Sequence, residues 1–221
     1  MARIPKPSGA KKQLGEMRSS SSFGRVAGSR AFPKMILIIC EGTETEYHYF
    51  QSLKQDFRFS QLKIEVENSG GKTAPINIVE KAKKSKGKYE LYNNLDEVWC
   101  VFDTEQEGQN PTLDTAIQDA TKAGFHLAIS NPCFEYWYLL HFECTDREFL
   151  NCEELEKILK QRDGLSNYDK AIPIYHILKP KLKDVALKNC ECLRKRNREY
   201  WDNCQNPSTG VDKLVRKIIG E

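Results

Sequence analysis

Two apolar runs of strand length, "MILIIC" at 35–40 and "EVWCVF" at 97–102, each stop abruptly at a carboxylate, Glu41 after the first and Asp103 after the second. A continuous apolar run of this length suits a strand covered on both faces, as in a parallel sheet with helices on either side. "LKIEV" (62–66) and "FHLAIS" (125–130) read as two further strands. The stretches between them carry helical spacing. Tyr47, Phe50, Leu53 and Phe57 recur at intervals of three and four, and "INIVEKAKK" ends in lysines, as the helix dipole prefers. Leu113, Ala116, Ile117 and Ala120 form another face, with Gly124 as its stop. Thr43 followed by Glu46 has the form of a capping box. The alternation β-α-β-α-β-α-β predicts an α/β fold: a four-stranded parallel sheet with helices on both faces.

Beyond Ser130 the pattern turns helical. "CFEYWYLLHF" (133–142) is too aromatic for a loop and is expected to pack on the sheet. "CEELEKILKQ" carries a Leu155/Ile158/Leu159 stripe, and residues 174–201 read as one or two helices with a basic flank. "NPSTGVDKLVRKII" reads as a capped amphipathic helix with Val211, Leu214, Val215 and Ile218 inward. The expected organisation is a basic disordered tail (1–33), an α/β core (34–142) and a helical C-terminal extension (143–221) packed on that core.

The net charge of +3 is unevenly spread, because residues 1–34 hold eight Lys or Arg against one Glu. Such a tail, rich in Ser, Gly and Pro and without apolar periodicity, is expected to be disordered. No run is apolar for the eighteen or more residues of a membrane span, and the N-terminus lacks the apolar centre of a signal peptide. A cytoplasmic protein is the expectation. The eight cysteines include no C-x-x-C pair and no histidine at zinc-site spacing, so they read as buried or idle thiols.

All strand C-termini of a parallel sheet open on one edge, so Glu41 can meet Asp103 and Glu105 there. Clustered carboxylates repel, and either a cation compensates or some are protonated. Mg²⁺ or Mn²⁺ suits oxygen ligands, whereas acids after strands also serve as helix caps. "SGGKT" (69–73) lacks the first glycine of a P-loop, whose place is held by Val66. It reads as a turn, or as a loop whose Lys72 approaches a phosphate. The segment 179–198 carries eight Lys or Arg against two acids. That is a solvated helix face or, beside an acidic cleft, a surface for a polyanion through Arg194, Lys195, Arg196 and Arg198. Tyr200 and Trp201 offer rings for base stacking. His141 reads as a core partner.

The runs "ICEGTETEYHYF", "VWCVFDTEQ", "ISNPCFEYWYLLHF" and "NPSTGVDKLV", in this order over residues 34–218, resemble the RloB-like family, placed with the Toprim nucleases. The resemblance implies Mg²⁺ held between a glutamate after the first strand and an Asp-x-Asp after the third. Glu41 and Asp103 fall on those positions, and Glu105 stands where the second Asp is usual. It implies hydrolysis of phosphodiester bonds in DNA or RNA, transfer RNA included, with Glu41, Asp103 and Glu105 as catalytic metal ligands. Two-metal chemistry asks for more oxygens. Glu135 is the first candidate, or else a first-turn carboxylate on its helix dipole. Glu46 is the second, or else a cap. Asn131 would orient Glu135 or contact a phosphate. The family further implies bacterial phage defence by abortive infection, with a partner protein or homo-oligomer restraining the nuclease. The alternative is a non-catalytic Toprim-like nucleic-acid-binding or sensor subunit, which the Glu105 departure favours.

Overall fold

β1 (Met35–Cys40) is buried at every position because it lies between two parallel neighbours, with β2 (Lys63–Asn68) on one side and β3 (Glu97–Asp103) on the other. The computed structural model describes residues 34–58, 62–91, 96–104 and 112–221; the N-terminal tail and Glu105 lie outside the described residues. Between the strands run α1 (Thr45–Asp56), α2 (Pro75–Lys88) and α3 (Leu113–Lys122), and β4 (His126–Asn131) pairs parallel with β3. These are the four parallel strands that the sequence predicts. After β4 come α4 (Glu135–Leu139), α5 (Cys152–Leu159), α6 (Tyr175–Leu178), a 3₁₀ turn, a π turn, α7 (Leu187–Arg196) and α8 (Arg198–Asp202). A two-residue β5 (Ser208–Thr209) and α9 (Val211–Ile219) follow.

β5 was not foreseen. It pairs antiparallel with β4, giving the sheet order β2-β1-β3-β4-β5. Two residues are too few to show a strand period in the sequence. Gly210 explains how α9 begins so close to the sheet: a Cβ there would come 3.2 Å from the Ala128 Cα. The C-terminal extension therefore completes the sheet, and Pro33–Glu221 is one compact unit.

Side chains alternate across the sheet. Ile36, Ile38 and Cys40 face α1, α4 and α9, whereas Leu37 and Ile39 face α2 and α3. β2, at the edge, buries only Ile64 and Val66, and carries charges outside. α9 buries Val211, Leu214, Val215 and Ile218 as expected, and "CFEYWYLLHF" lies in the core. In α1, Phe50 and Leu53 are buried as predicted, but Tyr49 takes the central place rather than Tyr47, which is half-buried. Tyr49 meets Phe50, Phe134, Trp137, Tyr138 and Tyr175 with ring centroids 5.3–6.2 Å apart.

The capping box is half formed. Glu46 reaches back, its Oε1 accepting the Gly42 N–H at 2.8 Å, but Thr43 is exposed and caps nothing, since the helix begins only at Thr45. α5 has the complete device, with Asn151 accepting the Glu154 N–H at 3.0 Å. His141 is a core partner: it is fully buried with Nδ1 2.9 Å from the Trp137 carbonyl, and burial lowers its pKa to about 4. No helix among the described residues is long and apolar enough to cross a membrane.

Candidate metal centre at the sheet edge

The register Cys40↔Val101 brings the ends of β1 and β3 side by side, and the Glu41 N–H extends the ladder to the Val101 carbonyl at 3.0 Å. Glu41 then turns its carboxylate toward β3, where Oε2 accepts the Asp103 N–H at 3.0 Å. Asp103 Oδ1 is buried and has no hydrogen-bond partner among the described residues. Two more carboxylates enter from helix starts. Glu46, in the first turn of α1, is 6% exposed, and Glu135, the first residue of α4, is 1% exposed. Glu41, Glu46, Asp103 and Glu135 line one cavity of about 240 Å³, together with Thr73 and Lys170.

The electrostatics follow from that crowding. Burial pushes the Asp103 carboxyl well above its ordinary range, and the charges of Glu46, Glu41 and Glu135 push it further. Burial also raises Glu46, with Glu135 adding to the effect; the Gly42 N–H and Lys170 work against it. Glu135 is the best supported, because its Oε1 accepts the Tyr168 hydroxyl at 3.0 Å and the Thr45 hydroxyl at 3.4 Å and lies 3.8 Å from Lys170 Nζ. Burial alone would lower the Lys170 pKa, but Glu135, Cys133, Cys152 and Glu156 together outweigh it and the pKa rises. Lys170 is shared with Glu156, at 3.4 Å. Among the described residues lining the cavity, Lys170 alone brings an ammonium to Glu46, Asp103 and Glu135. An orphaned, buried carboxylate oxygen within an all-oxygen donor set fits a hard divalent cation.

The predicted residues divide into those brought together and those kept apart. Glu41, Asp103, Glu46 and Glu135 converge, and Glu105 lies outside the described residues. Lys72 is exposed in the loop after β2, where Gly70 and Gly71 adopt φ of +73° and +84°, and its neighbour Thr73 lines the acidic cavity. Asn131, at the end of β4, is engaged on the other side of the strand. It is 3% exposed and its amide donates to the Cys204 carbonyl at 2.8 Å, because β4 runs into the interior against the C-terminal extension.

The basic flank is mostly paired. Arg194 is held by Asp212 at 2.7 Å and stacks 4.7 Å from the Trp201 ring. Lys195 meets Glu191 at 2.6 Å, Arg196 meets Asp146 at 4.0 Å, and Arg198 meets Asp202 at 3.4 Å. The expectation of base stacking is corrected for Trp201, whose ring is buried, while Tyr200 is half-buried. Trp201 is 5% exposed and packs on Tyr136, and the Tyr200 hydroxyl donates to the Asn206 carbonyl.

Sequence reasoning missed Thr45, Tyr168 and Lys170, which reach the site from α1 and from the loop after α5. No spacing rule marks them, since their role exists only once Glu135 is placed. It also missed a neighbouring cluster: the ligand atoms of Cys133, Glu135 and Cys152 all lie within 4.8 Å of one another. All eight cysteines are free, and Cys40, Cys100, Cys133 and Cys190 are buried as expected.

No curated protein and no solved structure matches the chain. The family model described as "RloB-like protein" matches residues 36–218, the span that carries both strand-end carboxylates and the helices that close on them, and the chain therefore belongs to the RloB-like family.

Proposed function

We propose that the protein is a Toprim-type nuclease that hydrolyses phosphodiester bonds of DNA or RNA with Mg²⁺ or Mn²⁺, in bacterial phage defence by abortive infection. The observation that carries the reading is the meeting of Glu41 with Asp103 across 62 positions of sequence, with Asp103 Oδ1 buried and lacking a partner among the described residues. Glu41 and Asp103 would hold the cation, joined by Glu46 and Glu135 and, in this reading, by Glu105. Bound there, a divalent ion supplies a Lewis acid for a phosphate oxygen and lowers the pKa of water.

The chain's own groups prepare the site. The Asp103 N–H fixes the Glu41 carboxylate, so that carboxylate loses little freedom on binding. Tyr168 and Thr45 fix Glu135 in the same way. The Gly42 N–H holds Glu46, and Lys170 offers positive charge to an entering phosphate. Lys72, beside the cavity lip, and the cations Lys195, Arg196 and Arg198 supply further attraction for a polyanion. We infer from the same family resemblance a cytoplasmic enzyme with a partner protein or second copy that restrains it, and transfer RNA among its substrates.

The test incubates purified protein with plasmid, single-stranded DNA, total RNA and transfer RNA, each with Mg²⁺, Mn²⁺ or chelator. Cleavage of at least one substrate is expected, dependent on metal and lost in Glu41→Ala and Asp103→Ala, with binding retained. Metal-independent binding with no cleavage of any substrate would make the protein a nucleic-acid-binding or sensor subunit instead.

A further inference from the structure

Beside the carboxylates lies a donor set of different chemistry. Cys133 sits between β4 and α4, Glu135 begins α4, and Cys152 begins α5. Their three ligand atoms lie within 4.8 Å of one another. The ligands come from the starts of two consecutive helices joined by a long loop, so no C-x-x-C spacing announces the group. We propose that Cys133, Glu135 and Cys152 form a binding site for a thiophilic divalent cation, Zn²⁺ in the first place, which shares Glu135 with the all-oxygen site it adjoins.

The chemistry selects the ion. Two sulfurs and one carboxylate suit Zn²⁺, whereas Mg²⁺ avoids sulfur. Zn–S bonds near 2.3 Å and Zn–O bonds near 2.0 Å need ligand edges of roughly 3.5–4 Å, so the observed group closes by side-chain shifts of about 1 Å or less. Three protein ligands leave a fourth tetrahedral position open.

The surroundings fit as well. Cys133 is 1% exposed, so water competes poorly for it, while Cys152 is only half-buried. Glu135 is oriented from outside the group by Tyr168 at 3.0 Å and Thr45 at 3.4 Å, the kind of support that ligating carboxylates receive. Glu135 also lines the acidic cavity, through which a cation can enter. A thiophilic ion there fixes Glu135 against the oxygen site and ties α5 to α4. The inference does not rest on the nuclease reading.

The test uses the full chain, freed of metal by chelator under reducing conditions and titrated with Co²⁺ and then Zn²⁺. One equivalent of Co²⁺ is expected to give a sulfur-to-cobalt charge-transfer band in the near ultraviolet, which Zn²⁺ abolishes. Cys152→Ser, at a half-exposed position, should lose the band while keeping the native circular dichroism, and Cys133→Ser should do the same. Glu135→Gln should weaken Co²⁺ binding by about tenfold or more. Cys144→Ser with Cys192→Ser should keep the band, as should Glu41→Ala, which removes a ligand of the other site only. No thiolate band in the wild type, or a band that survives Cys152→Ser, overturns the site. So does a Cys133–Cys152 disulfide in the isolated protein that takes up no metal after reduction. Failure of the nuclease assay with the band intact leaves this site standing.

Discussion

The acidic sheet edge and the basic C-terminal flank are both dense in charge, and they are built on opposite rules. At the edge, four carboxylates from the end of β1, α1, β3 and α4 are drawn into one small cavity, where Lys170 is the one cation among the described lining residues. On the flank, Arg194, Lys195, Arg196 and Arg198 each have an acid within 4.0 Å, and Arg194 also has Trp201 beneath it. Folding arranges charge on the flank so as to cancel it. At the edge it gathers like charge where solvent is scarce, which lowers stability unless a cation arrives. Charge density alone therefore says little about function, whereas like charge gathered in a buried cavity says much.

The sharpest way to break the contrast is to remove one member of each region. Glu41→Ala or Asp103→Ala should reduce metal-dependent cleavage by about a thousandfold or more, some 4 kcal/mol of barrier, with folding retained. Single-turnover rates on the substrate found by the panel would measure it. Cleavage surviving either variant would reduce the edge to a structural acidic patch. On the flank, Arg194→Ala should cost about 3 kcal/mol of stability, because it strands Asp212, which is 4% exposed. Urea unfolding would show a lower midpoint with an unchanged slope.

How much of this contrast the sequence carries differs between the two regions. The strand-to-acid junctions at Glu41 and Asp103 are legible because a buried strand has a continuous apolar signature and parallel strands end on one edge. Glu135 and Glu46 are legible only as candidates, since a first-turn carboxylate looks the same whether it caps a helix or faces a cavity. The flank misleads because composition counts Arg194 as a free cation, while its partner Asp212 comes from α9, eighteen positions away. Trp201 reads as a stacking ring for the same reason: its burial depends on Tyr136, from a different element. Tyr168, Lys170 and the Cys133/Cys152 pair leave no local trace. Period and spacing report local structure, and these contacts arise only from packing across elements. The two-residue β5 fails for want of length.

A smaller effect separates the regions by the sign of a stability change. Asp103→Asn keeps the shape and removes a charge, so the metal-free protein should gain roughly 1 kcal/mol, the usual exchange of function for stability. Titration works in the same sense. Asp103 and Glu46 have folded pKa values above their unfolded values of 3.8 and 4.5, so the native state holds protons that the unfolded chain releases. Their destabilising effect is absent below those values and grows as pH rises toward the folded pKa values. Glu67 behaves oppositely. Burial works to raise it, but Lys88, Ser85, Lys81 and Tyr89 together bring it to about 2 from 4.5. The stability it contributes is present above pH 4.5 and is lost as pH falls toward 2. Thermal melts across pH should show the Asp103→Asn curve flatter on the alkaline side, and Glu67→Gln flatter on the acid side. Identical curves for Asp103→Asn and wild type would mean that the acids at the edge do not repel.

The smallest expected change concerns the exposed part of the flank. Lys195 pairs with Glu191 at side-chain exposures of 73% and 53%, and Arg198 with Asp202 at 86% and 45%. Pairs this open contribute little, since water screens them and long side chains lose entropy in forming them. The triple variant Lys195→Ala, Arg196→Ala, Arg198→Ala should therefore leave the unfolding midpoint nearly unmoved, in contrast with Arg194→Ala. If these three cations also hold a nucleic acid, each must exchange its acid for a phosphate, which reduces the net counterion release. The slope of log affinity against log salt should then weaken by about 1–2, below the roughly 2.7 expected for three free cations. Filter binding over a range of salt concentrations reads this directly. An unchanged slope would assign the flank wholly to internal pairing and leave Lys72 and Lys170, at the acidic cavity, as the groups that meet the polyanion.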